Sequence, residues 1–459
     1  MNSPQRYPDL AELRITGDVV TPEDPRWEQA RLAWNLAVDQ RPALIAFPES
    51  PNDVIETMRY ARANGMRVAA QGTGHGAVAL GPLENTVLVK TSRLRRVEIQ
   101  PRAQVARAEA GVEWQEVVAA AAEHGLLALH GSSPDVGVVG YTLGGGIGWL
   151  GRKHGLAANS VTAIELVTPD GMLRRVDADN EPDLFWALRG GGGNFGIVTA
   201  IEFRLYRYTE AYAGWLWWPV ERAGEVLQAW RRWTQSGLPD EITSIGRIMQ
   251  FPPLPQLPEQ IRGKSFVVVE AAYTGDEESG AELLRPLREL QPVRDTFAVV
   301  PIQELAHLHQ DPPHPVAGAG DGMLIRELTA EAIDEFVRLA GPEGRSPLVS
   351  VELRHLGGAL ATASPAHGAL SSLDAEYALS AVGTAGTPED KLRVEMHIEC
   401  VQDALARWEA GTAYGNFTQK RIDELAFFPR HTVQRLRRVK AEYDAAHTMH
   451  ANHQIAPTP

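Results

Sequence analysis

One cysteine, Cys400, in 459 residues leaves no partner for an internal disulfide and no thiolate set for a zinc or iron–sulfur site. Long basic runs are equally scarce. The formal net charge is -14 at pH 7, so nucleic acid and anionic membrane surfaces would repel most of this one. No run is long enough and free enough of charge to cross a bilayer, and Met1 to Pro8 holds no apolar stretch of signal-peptide length. The expectation is a cytoplasmic protein with no membrane partner. The G-x-S-x-G elbow of serine hydrolases is missing, as are internal repeats and low-complexity segments. What is left is an ordinary globular composition, 44% hydrophobic, of a length for two or three domains.

Glycine-rich turns dominate the first half. Ser50 and Pro51 open a helix with an apolar face of Val54, Ile55, Met58 and Ala61, and Gly65 closes it. Arg67 to Ala70 then reads as a short buried strand running into Gln71-Gly72-Thr73-Gly74-His75-Gly76. Alternate glycines let a backbone approach a phosphate closely and turn its N–H groups inward, though a loop histidine with no role fits the same spacing. Two more such turns follow, Gly137 to Gly148 and Gly190 to Gly196. One pyrophosphate needs one turn, so three within one alternating helix-and-strand region, residues 24 to 206, favour a long cofactor threaded past several backbones. Close packing of neighbouring elements is the plainer alternative. A literal G-x-G-x-x-G at Gly146 to Gly151 follows the strand-like Val138 to Leu143, but Gly155 stands where a dinucleotide-binding helix would be in its second turn. Asp24-Pro25 predicts a helix carrying Trp27, Ala30, Trp34 and Val38.

The composition changes after Tyr206. Proline-rich loops (Pro252 to Pro255, Pro312 to Pro315) alternate with strand candidates at 265–272, 348–355 and 394–401 and with helices at 277–290 and 330–339. That order predicts a sheet backed by helices on one face. Ser350, Glu352 and Arg354 alternate with apolar residues, so one strand face is polar, either solvated or roofing a site. His397 and Glu399 likewise share a face in the run containing Cys400, which reads as a small buried hydrophobe. His447, His450 and His453 would line one helix face, a weak metal pattern without a matching carboxylate.

Four segments carry a resemblance that covers nearly the whole chain: the Gly72-Thr73-Gly74-His75-Gly76 turn; Pro134 to Gly146; Asp183 to Thr199; and Tyr414-Gly415-Asn416-Phe417 with Asn452-His453-Gln454-Ile455. Together they resemble the flavoproteins of the vanillyl-alcohol-oxidase and p-cresol-methylhydroxylase type, in the branch of berberine-bridge-like and 6-hydroxynicotine oxidases. The resemblance implies an α+β fold. A two-part FAD-binding domain (residues 1–207 plus 411–459) would hold an inserted substrate domain (208–410) of sheet backed by helices. It also implies that His75 is bonded to the flavin 8α-methyl carbon and that Gln71, Gly72, Thr73, Gly74 and Gly76 hold the pyrophosphate. The turn containing Val136, Gly137, Gly140, Tyr141, Thr142, Gly144, Gly145 and Gly148 would pass the isoalloxazine and ribityl chain. Val198 would lie near the adenine, and Asn416, Asn452 and Gln454 would complete the cofactor site from the tail.

Three positions depart from the family pattern. Ser133 replaces the cysteine that tethers flavin a second time in many relatives, Gln71 stands where relatives often have arginine, and Asn159-Ser160 replaces an Asp-Asn pair. A serine hydroxyl is a far weaker nucleophile than a thiolate, which leaves His75 as the one tether in the family manner. The small Val136, at the position that guards oxygen access, resembles the oxidases. The expected chemistry is hydride transfer from a small or medium alcohol, amine, sugar or polyketide-like substrate to flavin N5, with oxygen as acceptor and peroxide as product. Tyr414, matching the family's Tyr-x-Asn tyrosine, is the first choice of base, with Glu352 and His397 second. A dehydrogenase using another acceptor shares these motifs, as does a flavin-binding module without catalysis.

Overall fold

The computed structural model describes residues 8–458 apart from 254, 256, 257, 342 and 343. Met1 to Tyr7 of the opening run and Leu254 of the first proline-rich loop lie outside the described residues.

In the first half, Ser50 Oγ accepts the Asp53 N–H and Pro51 takes the first turn, where a missing N–H costs nothing, so the helix Pro51–Ala63 starts where expected. This helix is the crossover between the parallel strands Leu44–Phe47 and Arg67–Gln71, which flank Thr86–Lys90; Asp18–Val20 adds an antiparallel edge. A second sheet, antiparallel throughout, runs in the order Val97–Gln100, Val105–Glu109, Ile197–Arg204, Val161–Val167, Leu173–Asp177. Val54 and Met58 of the helix, Val68 and Val87 of one sheet, and Ile164 and Ile201 of the other share one apolar core.

The second half is an antiparallel sheet. From Arg294–Asp295 at one edge it runs through Glu210–Pro219, Ser265–Tyr273, Ile242–Gln250, Leu348–His355 and Tyr377–Thr384 to Gly318–Ile325. Alternation sends Trp218, Val269, Ile248, Val351 and Leu379 to one face. There they pack under four helices, Ala223–Thr234, Glu277–Arg288, Ala330–Ala340 and Pro388–Leu405. Fully buried Trp218 and Trp230 anchor this core, and truncating such a side chain costs about 3–5 kcal/mol. The opposite face, carrying Arg247, Glu270 and Glu352, looks back at the first half.

The chain then returns. Helix Arg430–Tyr443 and the residues after it pack on the first core, and Val68 exchanges backbone hydrogen bonds with Thr448 and His450. Lys440, fully buried, donates to the Asn194 carbonyl and pairs with Asp444. The mixed α and β architecture, with a helix-backed sheet beside the glycine-turn region, is the expected one.

Four local expectations are corrected. Residues 394–401 are not a strand: they lie in the helix Pro388–Leu405, capped by Thr387, whose buried residues Val394, Ile398, Val401 and Leu405 keep a helical period. The alternation from Glu395 to Cys400 is coincidental, Met396 is 57% exposed, and Cys400 is exposed rather than buried. Val138–Leu143 is a short helix started at Gly137 and ended at Gly144, its buried residues again at helical spacing. Only Trp27–Ala30 of the stretch from Trp27 to Val38 is helical, which frees Trp34 for another task. After Tyr443 the backbone is irregular, so the three histidines share no face; His450 bonds the Leu80 carbonyl and His453 that of Gly415. No group of three histidine, cysteine or carboxylate side chains is arranged to hold a metal ion among the described residues.

Candidate active site

A cavity of about 530 Å³ runs between the glycine turns and the polar face of the large sheet. Its first wall begins where strand Arg67–Gln71 ends. Gly74 has φ +95, and a Cβ there would sit 2.9 Å from the Ala33 Cβ, so this turn requires glycine. The turn presents His75, whose ring stacks on Trp34 (centroids 4.2 Å apart). Thr73 Oγ1 lies 2.7 Å from His75 Nδ1, and Asp135 Oδ1 lies 3.5 Å from Nε2. Trp34 Nε1 donates to the other Asp135 oxygen at 2.5 Å. Burial would raise the Asp135 carboxyl, but His75 and Trp34 outweigh it and hold the pKa below the usual range. His75 is thus held between an indole and a carboxylate in the cavity lining.

The tail and the other glycine turns continue this wall. Asn452 Nδ2 donates to the Gly76 carbonyl at 2.5 Å, and Asn416 Nδ2 to that of Tyr141 at 2.9 Å. A Cβ added at Gly140, Gly192 or Gly193 would meet nothing within 4 Å, so these backbones face open space. Both polar atoms of the Gln71 amide, Tyr141 Oη and His453 Nδ1 are buried without a hydrogen-bond partner among the described residues, and all four belong to residues lining the cavity. Buried polar groups are nearly always paired. A long cradle of bare backbone with unspent polar atoms along it is what an FAD requires, and the residues present fit that group.

The opposite wall is charged. His309 lies between two carboxylates, Nδ1 2.6 Å from Glu270 and Nε2 3.0 Å from Glu352. Arg247 pairs with Glu270 at 2.6 Å and donates to Ser350 Oγ at 2.9 Å; Arg354 pairs with Glu352 at 2.6 Å and donates to Ser132 Oγ at 3.2 Å. Ser133 donates to Asp311 on the His309 loop. Burial and Arg247 oppose protonation of His309, yet Glu270, Asp311 and Glu352 prevail and raise its pKa to about 9. Glu352 is drawn far below the usual carboxylate range, against burial, by Arg354 and His309.

Tyr414 stands at the junction of the two walls, 2% exposed. Its Oη accepts the Gly146 N–H at 2.9 Å and the Asn416 amide at 3.2 Å. Burial pushes the phenol above its ordinary value, and these two donors pull the other way without reversing it. Tyr414 therefore keeps its proton at neutral pH.

Most of the residues singled out from the sequence line this cavity, from Gln71 through Gly76, Val136, Gly137, Gly140, Tyr141, Gly144, Val198, Glu352, Tyr414, Asn416, Asn452 and Gln454. Four do not. His397, on a helix behind the sheet, bonds the Leu339 carbonyl at 3.0 Å. Thr142 turns its hydroxyl back to the Val138 carbonyl of its own helix. Gly145 packs under Leu370 and the Tyr414 ring, and a Cβ at Gly148 would strike the His130 carbonyl at 1.9 Å. Sequence reasoning missed Trp34, Asp135, Arg247, Glu270, His309 and Asp311. A lone glutamate inside the apolar run Phe266 to Tyr273 and an arginine within Ile242–Gln250 were the available signals.

Residues 42–177 match the family model of the FAD binding domain. The chain is 27% identical to the FAD-linked oxidoreductase YgaK of Bacillus subtilis over 98% of both chains. It is 35% identical to (R)-6-hydroxynicotine oxidase of Paenarthrobacter nicotinovorans over 45% of each, about half of that relative's length. Among solved structures, BBE-like 1 of Physcomitrella patens superposes with a TM-score of 0.85 at 19% identity, covering 98% of both chains. Glucooligosaccharide oxidase of Acremonium strictum, whose flavin is a 6-S-cysteinyl, 8α-N1-histidyl FAD, has a TM-score of 0.79 at 22% identity, covering 96% and 97%.

Proposed function

We propose that this chain, an FAD-dependent oxidoreductase similar to the berberine-bridge-like and 6-hydroxynicotine-oxidase-like branch of the vanillyl-alcohol-oxidase and p-cresol-methylhydroxylase type, is an oxidase tethering its flavin through His75. Its substrate is a small alcohol, amine, sugar or polyketide-like molecule, and oxygen is the final acceptor. The observation that carries this reading is the single cavity joining the His75 turn to Tyr414 and the charged sheet face. When bound, FAD supplies the hydride acceptor and the route for electrons to oxygen.

The chain's own residues do the rest. Asp135 beside Nε2 favours the His75 tautomer with its proton there, which leaves the Nδ1 lone pair, now facing Thr73, as the nucleophile. The residues Gly72, Thr73, Gly74 and Gly76 with Gln71 take the pyrophosphate; Val136, Gly137, Gly140, Tyr141 and Gly144 border the ring system, Val198 the adenine, and Asn416, Asn452 and Gln454 close the site from the tail. Tyr414 would take the substrate heteroatom proton only as the phenolate, after releasing its own proton to solvent, and the Gly146 N–H and the Asn416 amide are the donors that would stabilise that phenolate. Glu352, pinned as a carboxylate by two cations, orders the cavity and is a poor base. The small Val136 beside the cavity supports access of oxygen.

Acid precipitation of the purified protein tests the tether. A yellow, fluorescent pellet that loses its colour in His75→Ala is expected, and flavin released wholly into the wild-type supernatant would refute the covalent link. Reoxidation in air, followed by stopped flow, separates an oxidase from a dehydrogenase, whose reduced flavin would persist for minutes. Tyr414→Phe should slow anaerobic flavin reduction by substrate about 10²–10⁴-fold, and an unchanged rate removes Tyr414 from the mechanism.

A further inference from the structure

The charged wall is asymmetric in what it leaves unspent. Both oxygens of Glu270 are engaged, by Arg247 and by His309, and both oxygens of Glu352 are engaged, by Arg354 and by His309. Asp311 accepts from Ser133 through Oδ2, and its Oδ1 lies 3.8 Å from His309 Nε2. The donors are not exhausted in this way. Arg247 uses Nε and Nη1, and Arg354 uses Nε and Nη2, so Nη2 of the first and Nη1 of the second have no hydrogen-bond partner among the described residues. Neither nitrogen is sealed off by its surroundings, and both arginines line the cavity.

The two side chains are set to work together. Arg247 lies directly across from Glu352 in adjacent antiparallel strands, and Arg354 is two residues further along on the same face, a diagonal separation of roughly 7–8 Å. Each guanidinium is fixed from behind, Arg247 by fully buried Glu270 and Arg354 by Glu352, while the Arg354 fork also lies over the Phe417 ring at 5.2 Å. On this wall the cavity-lining cations Arg247, Arg354 and His309 stand with the carboxylates Glu352 and Asp311, and Glu270 sits behind them; Glu424, which also lines the cavity, pairs with Arg437. The wall therefore offers two preorganised guanidinium edges with free N–H donors, and Asp311 Oδ1 is the one carboxylate oxygen of this cluster that accepts no hydrogen bond among the described residues.

We propose that Arg247 and Arg354 are the specificity-determining pair of the substrate site and that they select a substrate bearing an anionic oxygen group, a carboxylate or an acidic enol or phenol. This rests on the cavity being the substrate site of the oxidoreductase described above. A guanidinium fork pairs with such an anion by charge-assisted hydrogen bonds about twice as strong as neutral ones. A neutral amine or a simple alcohol leaves both forks unsatisfied.

The test reads binding and not turnover. Purified holoenzyme is titrated at pH 8 with benzoate, with its neutral isostere benzamide, and with 4-nitrophenolate, following flavin absorbance and heat. Benzoate or 4-nitrophenolate binding at least about tenfold tighter than benzamide is the expected result, and the better of the two anions identifies the group. Equal binding of benzamide and both anions overturns the proposal, and this comparison needs only the wild-type protein. Arg354→Gln, checked for retained flavin and unchanged circular dichroism, should abolish the preference; an anion preference that survives in it and in Arg247→Lys also overturns the assignment. If the anion preference holds but no alcohol, amine, sugar or hydroxy acid bleaches the flavin anaerobically, the oxidase reading fails and the arginine pair stands.

Discussion

The two walls of the cavity reach the same space by opposite means. The cofactor wall is mostly backbone: glycine turns at 72–76, 137–144 and 190–196, each contiguous in the chain, with a few tail amides closing over them. The charged wall is all side chain, drawn from the strands Ile242–Gln250, Ser265–Tyr273 and Leu348–His355 and from the His309 loop. A backbone cradle is specified by where side chains are missing, so it fails when one is added. A buried ion cluster is specified by pairing, so it fails when one member is removed.

That contrast sets the order of expected effects. Arg247→Met leaves Glu270, 0% exposed, with His309 as its one cationic partner, and breaking a buried pair from one side costs about 3–5 kcal/mol. A denaturant midpoint that barely moves would show the cluster to be ordinary solvated charge. Gly190→Ala attacks the other wall. At φ +108 an added Cβ would lie 2.5 Å from the Leu370 backbone nitrogen, so strain and clash together should cost about 3 kcal/mol and weaken flavin retention. Unaltered flavin content and melting temperature in this variant would mean that the turn has room to yield.

The pH dependence separates the walls without any change of sequence. The His309 pKa is raised in the folded protein from 6.5 to about 9. Its contribution to stability is therefore complete below about 6.5 and is lost progressively as pH rises through 9. Melting temperature should fall between pH 6.5 and 10, and His309→Gln should flatten that part of the profile. A wild-type profile identical to that of the variant would remove His309 from the balance.

The cofactor wall could be read in advance because its signals are local. Gly74 and His75 are two adjacent residues of one turn, and the helix that precedes them announces itself by Ser50, Pro51 and Gly65. The charged wall could be read only in part. Ser350, Glu352 and Arg354 alternate within a single strand, so their common face was visible, but not whether water or protein covers it. Arg247, Glu270 and His309 lie 23 and 39 residues apart along the chain and gave no shared pattern. His397 shows the opposite error. The alternation from Glu395 to Cys400 mimics a strand, whereas Thr387, Pro388 and the burial of Val394, Ile398 and Val401 make it a helix on the far side of the sheet.

Local motifs, and the family resemblance they carry, pointed to an FAD-binding framework and to His75 as its proposed tether, because turns, caps and glycine cradles are written over a few consecutive residues. The charge state of Glu352 and His309, the clamp of Trp34 and Asp135 on His75, and the free edges of Arg247 and Arg354 came from folding. Each depends on which distant groups strand register and burial bring within about 3 Å, where water no longer screens them.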